Sequence, residues 1–142
     1  MRVISNSENE TIELGKKIAR QLYKGLIIIL TGELGSGKTK FVEGILTYFG
    51  MQNEISSPTF TIVNEYNTNK INIYHFDLYR LSDIDEFIDI GGEEYIDKGV
   101  CIIEWGESIK DILQNNYVQI SFLKDENSWD KRIIEINFFW RY

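Results

Sequence analysis

Residues 31–41 read TGELGSGKTKF, and the fold turns on that stretch. It lies between an apolar run, GLIIIL at residues 25–30, and a segment where Phe41, Val42, Ile45, Leu46 and Phe49 recur at helical spacing before Gly50. The run is rich in β-branched residues and does not alternate with polar ones, the pattern of a strand buried on both faces of a largely parallel sheet. The helical segment stops at a glycine suited to a left-handed cap. The loop between them fits G-x-x-x-x-G-K-[ST] through Gly32, Gly37, Lys38 and Thr39. In such a loop glycines let successive backbone N–H groups converge on one anion, and the following helix adds the positive end of its dipole. Glu33, Leu34, Gly35, Ser36 and Lys40 complete the predicted cradle. Lys38 would reach the β- and γ-phosphates, and the Thr39 hydroxyl would ligate Mg²⁺, so the expected ligands are ATP or ADP with Mg²⁺.

Composition limits what surrounds the loop. With 142 residues, 43% of them hydrophobic, the chain is expected to form one domain over residues 1–142 with its own core. No tract is long enough to span a membrane, and no basic segment followed by an apolar one marks a leader, so the expected compartment is the cytoplasm. The single cysteine, Cys101, excludes an internal disulfide and sits in an apolar run as a buried thiol. A net charge of −7, from 22 acidic and 15 basic residues, argues against a broad nucleic-acid surface, which needs a basic stripe. It leaves ATP binding untouched, because the cradle is made of backbone amides and one lysine. Any connection to RNA is expected to run through a partner.

The order of elements follows from periodicity. Residues 2–4 suit a short strand, and Ser7 with Glu10 has capping-box spacing ahead of a helix marked by Ile12, Gly15, Ala19 and Leu22. Residues 60–66 and 71–76 are β-rich and separated by NTNK, which predicts an antiparallel hairpin. Residues 81–97 read as short helices interrupted at Gly91 and Gly92, and 99–105 as a further buried strand. Val118, Ile120 and Phe122 alternate, as do Ile134, Ile136 and Phe138, predicting a closing hairpin. The expected class is α/β: a P-loop NTPase fold with a mixed, mainly parallel sheet, hairpins, and helices on both faces.

A phosphate cradle needs acids to become a catalyst. In P-loop proteins an aspartate at the end of an apolar strand anchors the magnesium shell, and Asp77, after INIYHF, qualifies. Glu104 ends VCII at residues 100–103 and is the other candidate, free to orient the attacking water or to ligate the metal. His75, the only histidine, stands two residues before Asp77 and reads as a supporting group. Trp105 can stack near the nucleotide or fill the core, and spacing leaves both open. Arg80 can offer charge to the γ-phosphate or form a surface pair. Thr59 and Thr61 lie where switch proteins keep a γ-phosphate-sensing loop, and Pro58 biases Ser57 toward an extended conformation. Residues 83–97 carry seven acidic and no basic side chains, a solvated helix face or a docking surface for a basic partner.

Together GELGSGKT, SSPTFTIVNEY, IYHFDLYRL and GGEEYIDKGVCIIEW, in this order, resemble the TsaE family, formerly YjeE, of small bacterial ATPases of tRNA threonylcarbamoyladenosine synthesis. The similarity runs from SENETIELGKKIA near the start to about Glu107. The resemblance implies a compact P-loop fold without lid domains, acting with the TsaD and TsaB subunits, with tRNA met only indirectly and ATP hydrolysis resetting the complex between turnovers. Carried over by position, Lys38 and Thr39 match the phosphate and metal residues, Asp77 the metal-linked acid and Glu104 the acid of the IEW motif. It also implies that Trp105 lies near the nucleotide, that Thr59 and Thr61 belong to a switch-like segment, and that Glu10 and Thr11 lie near the adenine. Gly106, where the family often has proline, and Gly92, where a larger residue is common, depart from the pattern.

Two other functions fit the same cradle. A small-molecule kinase would need an acceptor pocket and an arginine-rich lid, whereas this chain has only Arg80, Arg132 and Arg141 after the loop. A nucleotide-dependent adaptor would bind ATP and a partner with negligible hydrolysis.

Overall fold

The apolar run forms β2 (Ile27–Gly32), which starts two residues later than the run itself and continues into the first glycine of the loop. Gly25 is spent on a turn whose N–H donates to the Gly99 carbonyl. The computed structural model describes residues 1–33, 35–54, 63–78, 84–105 and 117–139. Around β2 stand β1 (Arg2–Ser5), α1 (Glu8–Ala19), α2 (Lys38–Tyr48), β3 (Val63–Asn67) and β4 (Asn72–Asp77). They are followed by α3 (Ile84–Asp89), α4 (Gly92–Ile96), β5 (Val100–Glu104), β6 (Tyr117–Lys124) and β7 (Arg132–Phe139). The described strands form one sheet in the order β1-β7-β6-β2-β5-β4-β3. Its four central strands, β6, β2, β5 and β4, are parallel neighbours, and antiparallel strands extend it on both sides. This is the mixed α/β architecture expected. No described helix is long and apolar enough to cross a membrane.

Both predicted hairpins form. β3 pairs with β4 from Val63↔Phe76 to Asn67↔Asn72, and Thr68 closes the turn by accepting at Oγ1 from the Ile71 N–H at 2.9 Å. The segment 60–62, expected to start that hairpin, lies outside the described residues. β6 and β7 pair along their length, but the hairpin is not an appendage, because β6 lies directly against β2.

Alternation along the central strands separates two cores. Ile28, Leu30, Val100, Ile102 and Ile120 face α1 and α2, with Phe41, Ile45 and Leu46 packed on them. Ile27, Ile29, Phe76, Cys101 and Ile103 face the other way, toward Phe87 of α3 and Tyr95 and Ile96 of α4. Helices therefore cover both faces, and strands buried on both sides need no polar alternation. The same parity sends His75 and Glu104 to the α2 side, since they share a face with Ile73 and Ile102.

The helix ends follow local chemistry. Ser7 caps α1 by accepting from the Glu10 N–H at 3.1 Å, and the Glu10 carboxylate reaches back to the Asn6 N–H. The capping box is therefore present with its return bond shifted by one residue. α2 closes through Gly50 N–H to Thr47 O at 3.0 Å and Met51 N–H to Leu46 O at 2.8 Å, the paired bonds of a Schellman end. In α1 the fully buried positions are Thr11, Gly15 and Ala19, with Leu14 and Ile18 half-buried against the core. The expected apolar face is thus rotated to include Thr11, whose hydroxyl pairs with Ser5 Oγ at 2.7 Å.

α1 and α2 touch backbone to backbone. A Cβ on Gly44 would stand 2.1 Å from the Ile12 carbonyl oxygen, and one on Gly15 would stand 2.2 Å from that of Phe41. Neither oxygen can move without shifting its helix. Gly44→Ala is therefore expected to destabilise the protein by about 1–3 kcal/mol despite alanine's better helix propensity, because overpacking outweighs that gain. Chemical denaturation of the two proteins measures it, and an equally or more stable variant would refute this packing. Gly92 is constrained similarly: its Cβ would fall 2.4 Å from the Phe87 ring. Here a larger residue is excluded by the phenyl group that fills the space.

Candidate nucleotide site

The cradle is built where β2 ends and α2 begins. Two of its glycines are needed for conformation. Gly32 has φ 142°, and a Cβ there would lie 2.7 Å from the Phe122 carbonyl oxygen; Gly37, at φ 111°, precedes the first turn of α2. An L side chain at either position would be strained. Within the loop the Ser36 N–H donates to Glu33 O at 3.1 Å, while the Ser36 hydroxyl is buried with no hydrogen-bond partner among the described residues. A buried hydroxyl without a partner is costly, and a phosphate oxygen in the loop would satisfy it. The residues present thus fit a phosphate-bearing ligand, helped by the N-terminal end of α2.

Lys38 is only 5% exposed. Its ammonium donates to the Gly32 carbonyl at 2.8 Å, lies 3.7 Å from Glu104 Oε1, and stands 4.7 Å from the centre of the Trp105 ring. Glu104 Oε2 is 2.6 Å from His75 Nε2. Burial alone would push the Glu104 carboxyl up; the hydrogen bond and charge of His75, with the Lys38 ammonium, more than offset it and hold the group below its ordinary value. His75 Nδ1 has no partner among the described residues. With Glu104 ionised, Nε2 carries a proton and donates it to the carboxylate in either form of the ring. Trp105 adopts φ 61°, uncommon for a non-glycine residue, which turns the chain just past Glu104 and leaves the indole 37% exposed over the lysine.

The other expected residues take varied places. Asp77 is in register with Glu104 at the ends of adjacent parallel strands. Thr39 and Lys40, in the first turn of α2, line a cleft shared with Gly35, Gly37, Lys38 and Glu104. Lys40 already has anionic neighbours, Glu43 at 3.2 Å and Glu8 at 3.9 Å. Thr11 borders the cleft, while Glu10 is engaged in capping α1 and Glu8 stands at the wall instead. Glu33 lines an adjoining groove that shares Glu8, Gly35, Trp129 and Arg132 with the cleft. Leu34, Thr59, Thr61, Arg80 and Gly106 lie outside the described residues.

Sequence reasoning missed one wall entirely. Trp129, Asp130 and Arg132, from the β6–β7 turn and the start of β7, line the same cleft as Glu104. Arg132 Nη2 donates to the Gly35 carbonyl at 3.1 Å and Nη1 to the Trp129 carbonyl at 2.7 Å. The available signal was a tryptophan in a polar turn between two alternating strands, where no core is present to bury it. His75 was expected beside Asp77 as a supporting group; its recorded bond is to Glu104.

A parallel-centred sheet with a glycine-rich turn from β2 into α2, a buried lysine at the helix start and an acid on the neighbouring strand end defines the P-loop NTPase architecture. The family model described as threonylcarbamoyl adenosine biosynthesis protein TsaE matches residues 5–134, and the chain belongs to this family. The tRNA threonylcarbamoyladenosine biosynthesis protein TsaE of Treponema pallidum (strain Nichols) is 42% identical over 122 residues, spanning 85% of this chain and 90% of that protein. Its namesake in Bacillus subtilis (strain 168) is 39% identical over 112 residues, spanning 78% of this chain and 70% of that protein. The crystal structure of Bacillus subtilis YdiB superposes with a TM-score of 0.74 at 30% identity, covering 99% of this chain and 86% of that one. The match extends beyond Glu107, where the motif similarity was expected to end, and takes in the wall formed by Trp129 and Arg132.

Proposed function

We propose that this chain is the ATP-binding and ATP-hydrolysing subunit that supports threonylcarbamoyladenosine modification of tRNA together with TsaD and TsaB. Family membership supports an ATPase-type activity. The observation that carries the reading for this chain is the pairing of buried Lys38 with Glu104 at the mouth of the cradle. Lys38 is stored against a carboxylate and a carbonyl, so an incoming γ-phosphate finds the cation already desolvated and aimed. Once that phosphate competes for the ammonium, Glu104 keeps the His75 bond that orients it and can accept a proton from an attacking water. The loop amides and the Ser36 hydroxyl hold the phosphates, and Trp105 shields the lysine from bulk water. Thr39 and Asp77, with Glu104 as a further ligand, would hold Mg²⁺, which would supply positive charge to offset that of the phosphates. No arginine is assigned to the transferring phosphoryl group, so the isolated protein is expected to turn over slowly.

The test is phosphate release from Mg·ATP by the purified protein, alone and with the TsaD–TsaB pair. Slow release alone, and several-fold faster release with the pair and no small-molecule acceptor, is the expected result. An unchanged rate would count against partner coupling, and acceptor-dependent release of ADP would instead identify a small-molecule kinase.

A further inference from the structure

The cleft brings two chemically different sets of groups together: Lys38, Thr39 and Glu104 gather charge beside the start of α2, and Glu8 of α1 lines it with Trp129 and Asp130 of the β6–β7 turn. Trp129 is 90% exposed, more than any other large apolar side chain among the described residues, where Met1 follows at 70%. An indole left in water forgoes the largest hydrophobic gain any side chain offers, and this one lines the cleft that holds Lys38 and Thr39. Its backbone is nevertheless held. Arg132 bridges the Trp129 carbonyl to the Gly35 carbonyl of the phosphate loop, and Lys131 pairs with Asp125 at 3.3 Å across the same turn. The Trp129 backbone is thereby tied to the phosphate loop, while its ring stands in solvent.

A nucleotide held by its phosphates at Lys38 must send its ribose and base away from Glu104. The carboxylates of Glu8 and Asp130, which also line the cleft, disfavour phosphate beside them. We propose that Trp129 is the platform on which the base of the bound nucleotide stacks, an inference that rests on the cleft being an ATP site. Stacking uses the face of the base and asks for no particular hydrogen-bond pattern, so one rotatable indole on an anchored turn suffices. Trp129 thus contributes affinity for the base and nothing to the phosphates.

Titration calorimetry in the presence of Mg²⁺ separates these contributions, with ATP and inorganic tripolyphosphate as probes against the wild-type chain, Trp129→Ala and Trp129→Phe. ATP affinity is expected to fall by about 5- to 100-fold in Trp129→Ala, the range for loss of one base–aromatic stack. Tripolyphosphate affinity should stay within about twofold, and Trp129→Phe should retain most of the ATP affinity because it keeps an aromatic face. Unchanged ATP affinity in Trp129→Ala overturns the inference while leaving the ATP site intact. An equal loss for tripolyphosphate also overturns it, since the tryptophan would then act on the phosphate loop. Wild-type protein that binds neither probe refutes the ATP-site reading itself, and the inference with it.

Discussion

Glu104→Gln is expected to lower ATP hydrolysis by about a hundred- to ten-thousand-fold while ATP still binds, the range for losing a positioned general base. Glutamine keeps the shape and can still accept from His75 Nε2, so the strand end and the cradle stay in place. What disappears is the negative charge that draws a proton from water. Single-turnover phosphate release, measured beside equilibrium ATP binding, separates the two effects. Rates within twofold would remove Glu104 from the chemistry, and equal, near-zero turnover in both proteins would favour an adaptor that binds without hydrolysing.

The same substitution has a signature in stability against pH. The folded-state value of Glu104 is depressed, by His75 and Lys38 acting against burial. A depressed carboxylate contributes stability in full above its unfolded value of about 4.3 and loses it as pH falls through the lower folded value. Wild-type protein should therefore lose more stability than Glu104→Gln between about pH 5 and about pH 3. Denaturant midpoints at the two pH values measure the difference, and parallel losses would show that the pair around Glu104 is not coupled to folding.

Lys38→Ala is expected to weaken both binding and hydrolysis, with turnover down by about a hundred- to a thousand-fold. The ammonium lies 3.7 Å from Glu104 and is almost fully buried. Its removal leaves no point charge for the γ-phosphate and leaves the carboxylate dependent on His75 alone. Lys38→Arg should fail to rescue, because a planar guanidinium does not fit the narrow space between the Gly32 carbonyl, Glu104 and the Trp105 ring. Phosphate release and ATP binding by both variants, with thermal denaturation to check folding, form the test. Turnover close to wild type in Lys38→Ala would exclude the assigned role.

The contrast between the two substitutions follows from where each group acts. In the proposed roles Glu104 would act on the attacking water only as bonds change, so binding should survive without it. Lys38 would hold the phosphates before and during the reaction, so both properties should fall.

Much of this protein was legible in its sequence because the relevant physics is short-ranged. The glycines at 32 and 37, the lysine and threonine that follow, the Ser7 cap and the Schellman end at Gly50 each depend on neighbours a few residues away. Alternation along β4 and β5 likewise puts His75 and Glu104 on one face once the strands are known to be adjacent and parallel. The boundary of β2, by contrast, has a long-range cause: Gly25 reads as the start of a strand, yet its N–H is taken by the Gly99 carbonyl just before β5.

Only the tertiary structure decided which strands are neighbours. The alternating patterns of β6 and β7 specify a hairpin but not its docking, and the docking of β6 on β2 is what carries Trp129 and Arg132 to Gly35, a contact across 97 positions. The bond between His75 and Glu104 spans 29 positions and depends on the same kind of choice. Strand order is settled by how whole faces bury one another, a sum over many weak contacts that no short window of sequence contains. The sequence by itself therefore determined the glycine-rich turn from β2 into α2 and the chemical groups at its lysine end, and the folding of the sheet determined that Trp129 and Arg132 line the same cleft.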